Sequence, residues 1–440
     1  MQVAVVALGK VGLPLAVQFA GAGHAVVGVD TDATVVRSVT AAKEPFPGEA
    51  DLAERLSALV AAGRLRATTQ YAEAIPRAEV VVVVVPLVVD GEGVPDFSAL
   101  DDATRSLAEH LRPGTVVSYE TTVPVGTTRG RYAPLIERVS GLSEGSDSGF
   151  HLVFSPERVL TGRVFADLRR YPKLLGGLSE AGAQRAAEFY VSALTFEDRP
   201  ELARPNGVWD LGTAEAAELA KLAETTYRDV NIALVNEFAR FADRVGVDLG
   251  AVIDACNSQP YSHLHRPGIA VGGHCIPVYP RLYLAGDPEA AVVRAARESN
   301  ASMPEYAVSR AAQVLGSLEG LRVVVLGAAY RGGVKETAFS GVVDTVAAVR
   351  RRGARALVHD PLYSAEELAA LGWDAYAMGD PVDVAIVQAD HGEYADLGAD
   401  DLPGLRLLLD GRGVTDAARF AGVPRLTIGG GQPPAHVAGP

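Results

Sequence analysis

The chain opens on an apolar run, Gln2 to Ala7, that ends in Leu8-Gly9-Lys10-Val11-Gly12-Leu13-Pro14 and passes into a longer apolar-rich segment reaching about Gly21. A short apolar run, a glycine turn and a longer run predict a buried strand, a tight turn and a helix. The alternation recurs in candidate strands Ala25–Val29, Val80–Val85, Thr115–Tyr119 and His151–Phe154. The unbroken β-branched run at Val80–Val85 suits a central parallel strand covered on both faces. Pro86 ends it, and the Gly- and Ser-rich stretch 141–149 is a predicted loop. From Thr213, a candidate N-cap, to Arg244 there is no proline or glycine, and apolar residues recur at Leu219, Leu222, Val230, Leu234, Phe238 and Phe241. This spacing predicts one amphipathic helix of roughly 45 Å, long enough to join two domains. A second α/β succession follows, with strands expected at Leu321–Gly327, Arg355–His359, Val382–Gln388 and Leu407–Asp410.

The expected fold class is therefore α/β, with two Rossmann-like doubly wound domains joined by a long central helix. The boundaries expected are 1–206 for the first domain, 207–305 for a central helical domain and 306–428 for the C-terminal domain. The Gly/Pro-rich stretch 429–440 reads as a disordered tail.

Composition narrows the function classes. The 440 residues carry a formal net charge of -14 with no basic stripe, so nucleic acid or an anionic membrane is an unexpected partner. No apolar run is long enough to span a bilayer, and Met1 leads directly into a strand, so a cytoplasmic location is expected. Two cysteines make no disulfide framework, which agrees with a reducing compartment.

Candidate chemistry gathers at the ends of predicted strands. Gly9 and Gly12 resemble the dinucleotide fingerprint, in which glycines make a tight turn and bring pyrophosphate to a helix N-terminus. Ala7 stands at the first glycine position. Asp30, at the end of the second strand, can accept hydrogen bonds from an adenosine ribose and repel an added phosphate, so the cofactor expected is NAD. Thr121, Thr122, Thr127 and Thr128 follow the fourth strand, where hydroxyls can hold a nicotinamide or a water or simply cap a helix. Glu157, in Ser155-Pro156-Glu157-Arg158, is either a solvated carboxylate or a general base. Lys221, Thr225 and Arg228 share one helix face, which is either a solvated stripe or a site for an anionic substrate and a developing oxyanion.

The most suggestive stretch is Val271-Gly272-Gly273-His274-Cys275-Ile276-Pro277. Two glycines let a ligand approach the backbone closely, and the thiol that follows reads either as a nucleophile or as a buried structural group. Cys256 lies in an apolar helical run and reads as a small hydrophobe. His263, His265, His274 and Cys275 are close in sequence but match no two-plus-two ligand pattern, so no metal is expected.

In order along the chain, Gly9-x-x-Gly12-Leu13-Pro14, Thr122-Val123-Pro124-x-Gly126-Thr127-Thr128, Ser155-Pro156-Glu157-Arg158, Ala220-Lys221-Leu222 with Tyr227-Arg228-Asp229-Val230-Asn231, the cysteine loop and Leu326-Gly327-x-Ala329-Tyr330 together resemble the UDP-glucose/GDP-mannose dehydrogenase family. The resemblance covers nearly the whole chain. The loop form Gly-Gly-His-Cys-Ile-Pro-Val is similar to the branch acting on UDP-N-acetylhexosamines. It implies NAD-dependent oxidation of the primary alcohol of a UDP-sugar to the uronic acid, through a thiohemiacetal and a thioester on Cys275. It also implies a homodimer through the long helix.

In that resemblance Lys221 stabilises oxyanions, and Glu157 acts as base with Thr122 near water and nicotinamide. Gly9, Lys10, Val11, Gly12, Asp30 and Pro86 hold the cofactor, while Arg228, Asn231, Gly272, Gly273, Tyr330 and Arg331 lie near the substrate. Several positions depart from the family pattern. Thr225 stands where an asparagine is usual, Tyr279 where a catalytic aspartate is usual, and Ala338-Phe339-Ser340-Gly341 where Arg-Glu-Ser-Pro is customary. A phenol with an ordinary pKa of about 10 is a poor proton acceptor at neutral pH, so these departures leave open an oxidation that stops at the aldehyde, an unusual nucleotide substrate, or a nucleotide-sugar binder without catalysis. A β-hydroxyacid dehydrogenase would share the first domain and the long helix but has no need of Cys275.

Overall fold

The computed structural model describes residues 1–90, 93–146 and 148–431. The chain forms two compact units, the first Met1–Glu224 and the second starting at Thr225.

In the first unit the strands run β1 (Gln2–Val6), β2 (Ala25–Val29), β3 (Leu65–Thr68), β4 (Val80–Val83), β5 (Val88–Val89), β6 (Pro95–Asp96), β7 (Val116–Tyr119), β8 (His151–Phe154), β9 (Lys173–Gly177) and β10 (Val208–Asp210). Eight of them make one sheet in the order β10-β9-β8-β7-β4-β1-β2-β3, while β5 and β6 form a separate antiparallel pair. The six strands from β8 to β3 are mutually parallel, but β9 runs antiparallel to β8, and β10 follows β9. All four valines of β4 are buried, as a strand covered on both faces requires. Val3 and Val5 of β1 and Val82 of β4 join Leu13, Val17 and Phe19 of the helix Gly12–Gly21 in one core.

The helix Ala214–Val245 runs for 32 residues, as the spacing of its apolar positions predicts. Its first turns belong to the first unit and the remainder to the second. The helical segment after Thr225 and the C-terminal α/β segment share one core. Val235, Ala239 and Ala242 of the long helix pack in the same cluster as Met303, Val323, Val325 and Ile386.

The second sheet contains β11 (Arg322–Leu326), β12 (Arg355–His359), β13 (Val384–Val387), β14 (Leu407–Asp410) and β15 (Arg425–Thr427), all parallel, in the order β12-β11-β13-β14-β15. Alternate residues of β11 serve the two faces: Val323 and Val325 face the helical cluster, Val324 and Leu326 the cluster around Tyr394 and Phe420, as the two-residue period of a strand demands. The packed chain continues into the stretch expected to be a tail. Gly429 and Gly431 donate their N–H groups to the Asp243 carboxylate at 3.3 Å each, whereas 432–440 lie outside the described residues.

Candidate active site

In the first unit the turn after β1 is shaped by close approaches. Ala7 takes a left-handed backbone with φ 75°, the conformation that the fingerprint ordinarily assigns to glycine. A Cβ at Gly12 would lie 1.9 Å from the Ala7 carbonyl oxygen, whereas one at Gly9 would meet nothing within 4 Å. Gly12 is thus required by the chain's own packing, and Gly9 leaves open backbone beside a helix N-terminus, which fits a pyrophosphate. Asp30 closes the turn from β2: its carboxylate accepts from the Leu8 N–H at 2.7 Å and the Asp32 N–H at 2.9 Å. Lys10 and Pro86 are exposed and Val11 is half-buried.

The hydroxyls after β7 divide by task. Thr121 donates to the Val85 carbonyl at 2.7 Å, Thr127 to the Pro124 carbonyl at 2.6 Å, and Thr128 to Glu218 at 2.6 Å. Glu218 also accepts from the Gly126 and Thr128 N–H groups at 2.6 and 2.9 Å, so the long helix pins this loop. Burial pushes the Glu218 carboxyl up, partly offset by the Thr128 bonds. Thr122 is buried and takes no part in this bonding. Lys221, one turn further along the helix, is also buried. Arg158 pairs with Glu224 at 2.9 Å.

Sequence reasoning missed a group next to Glu157. Lys173, the first residue of β9, places its ammonium 2.9 Å from Glu157 and 2.7 Å from Glu120. Its β-strand context gave no signal, because only the reversed direction of β9 carries it to that edge.

In the second unit the cysteine loop lies on a platform made by Tyr330 and 338–340. A Cβ at Gly272 would come within 2.7 Å of the Tyr330 Cβ and 2.9 Å of the Phe339 carbonyl, and one at Gly273 within 3.0 Å of the Tyr330 ring. At both glycines a close approach is made by the protein's own chain. Gly273 has φ 92° and donates to the Ala338 carbonyl at 3.2 Å. Phe339 itself is left-handed at φ 49°. Cys275 is exposed and Cys256 is half-buried on the helix Leu249–Asn257. The Cys275 carbonyl accepts from the Val278 and Tyr279 N–H groups at 3.2 and 2.9 Å, which sets the thiol residue one turn before the helix Tyr279–Gly286. His274 lies 3.6 Å from Glu336.

The remaining expected residues of this unit fall around the same loop or along the helix. Thr225 is buried and Arg228 exposed. Both ends of the Asn231 amide bond the main chain of 263–265: its nitrogen donates to the His263 carbonyl at 2.7 Å, and its oxygen accepts from the His265 N–H at 3.0 Å. Arg331 is exposed and donates to the Tyr330 hydroxyl at 3.3 Å. At the turn after β11, Asp360 repeats the device of Asp30, accepting from the Ala328 and Ala329 N–H groups at 2.8 and 3.0 Å and lying 3.1 Å from His391. Among the described residues, no three His, Cys, Asp or Glu side chains are grouped to hold a metal ion, and no helix is long and apolar enough to cross a membrane.

Two doubly wound units, one with a dinucleotide turn backed by Asp30, define a dehydrogenase of the nucleotide-binding α/β class. Residues 1–194 match the NAD binding domain of the UDP-glucose/GDP-mannose dehydrogenase family, residues 215–302 its central domain and residues 324–417 its UDP binding domain. The chain belongs to this family and is an NAD-dependent nucleotide-sugar dehydrogenase. It is 33% identical over 427 residues to the UDP-N-acetyl-D-mannosamine dehydrogenase of Pyrococcus horikoshii, covering 94% of this chain and 96% of that one. It is 31% identical over 432 residues to the NDP-N-acetyl-D-galactosaminuronic acid dehydrogenase of Ralstonia nicotianae, with 95% and 97% covered. The solved structure of the UDP-D-ManNAc dehydrogenase from Pyrococcus horikoshii superposes with a TM-score of 0.85 at 31% identity, covering 98% of this chain and all of that one.

Proposed function

We propose that the protein oxidises the primary alcohol of a UDP-N-acetylhexosamine to the uronic acid, with Cys275 as the covalent nucleophile. The observation that carries this reading is the exposed Cys275 thiol, held by a loop whose glycines pack on Tyr330, in a chain that also builds an NAD turn. Relatives named for UDP-N-acetyl-D-mannosamine and NDP-N-acetyl-D-galactosaminuronic acid support the N-acetylated sugar.

NAD, held by Gly9, Lys10, Val11, Gly12, Asp30 and Pro86, supplies a hydride acceptor for each of the two oxidations. In the first oxidation the alcohol carbon loses hydride and its hydroxyl loses a proton, giving the aldehyde. The Cys275 thiolate then forms a C–S bond to that carbon, and Lys221 with the Thr225 hydroxyl holds the resulting oxyanion. Loss of the second hydride leaves a thioester. Glu157 takes a proton from water, the new C–O bond forms, the C–S bond breaks and the thiolate is restored, with Thr122 beside the water. Tyr279 in place of a carboxylate donates better than it accepts, so the thioester steps are slower than the first oxidation. Arg228, Tyr330 and Arg331 contact the nucleotide sugar, and Asn231 acts by holding 263–265 in place.

Tyr227, Leu234, Phe238, Phe241 and Val245 expose a continuous apolar stripe on the long helix, which suits pairing with a second copy of the chain. NADH release across a panel of UDP- and GDP-sugars, with product masses, tests the substrate assignment. Turnover of GDP-mannose alone, or of no UDP-N-acetylhexosamine, would remove it.

A further inference from the structure

Reversal of one strand brings a buried charge cluster under Glu157. In the β8–β9 pair Val153 faces Gly177 and Phe154 faces Gly176. Carrying that antiparallel register three residues further sets Lys173 opposite Glu157. Had β9 run parallel to β8, its first residue would lie at the opposite end of that strand.

The cluster is buried except at Glu157. Lys173, with 4% of its side chain exposed, bridges Glu120 at 2.7 Å and Glu157 at 2.9 Å, and its ammonium stands 4.9 Å from the centre of the Tyr190 ring. The Tyr190 hydroxyl donates to the other Glu120 oxygen at 2.6 Å and shares a hydrogen bond with Ser118 at 2.7 Å. The second Glu157 oxygen accepts from the Arg158 N–H at 2.7 Å. The Glu157 N–H donates to the Glu120 carbonyl at 3.2 Å, so the two carboxylates also share a main-chain link.

One ammonium between two carboxylates leaves one negative charge without a partner if both are ionised. A buried site resists that, and retains a proton instead. Exposure separates the two candidates, since the Glu120 side chain is fully buried while that of Glu157 is 10% exposed. Burial pushes the Glu120 carboxyl up to about 7 against the pull of Lys173. For Glu157 burial acts in the same direction, but the charge and hydrogen bond of Lys173 and the Arg158 N–H outweigh it and hold the group below the usual carboxylate range.

Resting on the reading of Glu157 as base of the hydrolytic step, we propose that Lys173 and Glu120 are its positioning residues. Lys173 fixes the Glu157 carboxylate in its ionised, proton-accepting form, and Glu120 takes the single proton that the buried cluster retains. When Glu120 loses that proton, both carboxylates draw on one ammonium and Glu157 becomes the stronger base. Acid release therefore gains an upward inflection as pH rises through the Glu120 titration.

The test uses the full-length enzyme with NAD and UDP-N-acetylmannosamine. Lys173→Met is expected to move the acidic limb of the acid-release profile up by about one pH unit or more and to lower its rate by about tenfold or more, with Lys173→Arg restoring most of both. Glu120→Gln is expected to remove the inflection near pH 7. Should Lys173→Met fail to fold, 13C-carboxyl titration of the wild type and the two glutamine variants decides. A carboxyl titrating near 7 that disappears in Glu120→Gln supports the proposal; one that persists there and disappears in Glu157→Gln overturns it. An unmoved acidic limb in a folded Lys173→Met variant overturns it too. If Glu157→Gln releases acid at the wild-type rate, the base reading itself fails, and the carboxyl titration still reports separately where the proton resides.

Discussion

Ala7→Gly should stabilise the first unit, although it deletes a half-buried methyl from a turn next to the sheet. Ala7 sits at φ 75°, where an L-residue with a Cβ is disfavoured by roughly 1–2 kcal/mol. Glycine removes that strain but loses more backbone freedom on folding, which costs about 0.4–1 kcal/mol. The difference leaves a net gain of about 0.5–1 kcal/mol, or roughly 1–4 °C in Tm for a unit of this size. The partner substitution has the opposite sign. At Gly12 a Cβ would lie 1.9 Å from the Ala7 carbonyl oxygen, so Gly12→Ala must push one backbone segment off another, at a cost of about 3 kcal/mol or more. Calorimetry with and without NAD, together with NAD titration, reads both. Ala7→Gly should raise the transition of the first unit and leave NAD affinity the same or tighter, while Gly12→Ala should lower both. Loss of stability in Ala7→Gly, or an unchanged Gly12→Ala protein, would refute the reasoning.

Asp30→Ala should narrow the preference for NAD over NADP by removing the charge that repels a 2′-phosphate, and should also cost stability because the Leu8 and Asp32 N–H groups lose their acceptor; kcat/KM with both cofactors and a melting curve check this. In the second unit, Asp360 and Asp410 are pushed up by burial but held below the ordinary carboxylate range, Asp360 by His391 and the Ala329 N–H, Asp410 by Thr415, the Arg412 N–H and Arg425. Their stabilisation is therefore complete above the unfolded value of about 3.9 and is lost as pH falls through the lower folded values. The melting temperature should drop steeply below about pH 4, and less steeply in Asp360→Asn. Cys256→Ala should cost about 1 kcal/mol and leave turnover unchanged, as denaturation and steady-state assays will show.

Much of the architecture was legible because the central strands are buried on both faces. Ala25–Val29, His151–Phe154, Arg355–His359 and Leu407–Asp410 fall where their apolar runs begin and end. The strands that escaped notice are β3, β5, β6, β9, β10 and β15. They are short or lie toward the sheet edges, and β9 in particular reads Lys-Leu-Leu-Gly-Gly, a run with no polar alternation and two glycines. Its direction depends on pairing with β8, a long-range choice that no local pattern encodes. The consequence reaches the site: Glu157 could be picked out at a strand end, but the Lys173 that pairs with it, and the Glu120 and Tyr190 that surround Lys173, could not be placed beside it. Gly272 and Gly273 were legible as a close approach without revealing that Tyr330 is what approaches. Asn231 looked like a substrate contact, and the main chain of 263–265 that engages its amide lies more than thirty residues along the sequence.

The most direct test of the proposed reaction counts NADH formed per UDP-N-acetylhexosamine consumed, in the wild type and in Cys275→Ser, with intact-protein mass spectrometry after a rapid quench. The account predicts two NADH per sugar at completion for the wild type, with a transient adduct on Cys275 because the thioester steps are slow. It predicts no acid from Cys275→Ser, with NAD binding preserved. Two NADH per sugar and wild-type acid release from Cys275→Ser would contradict it.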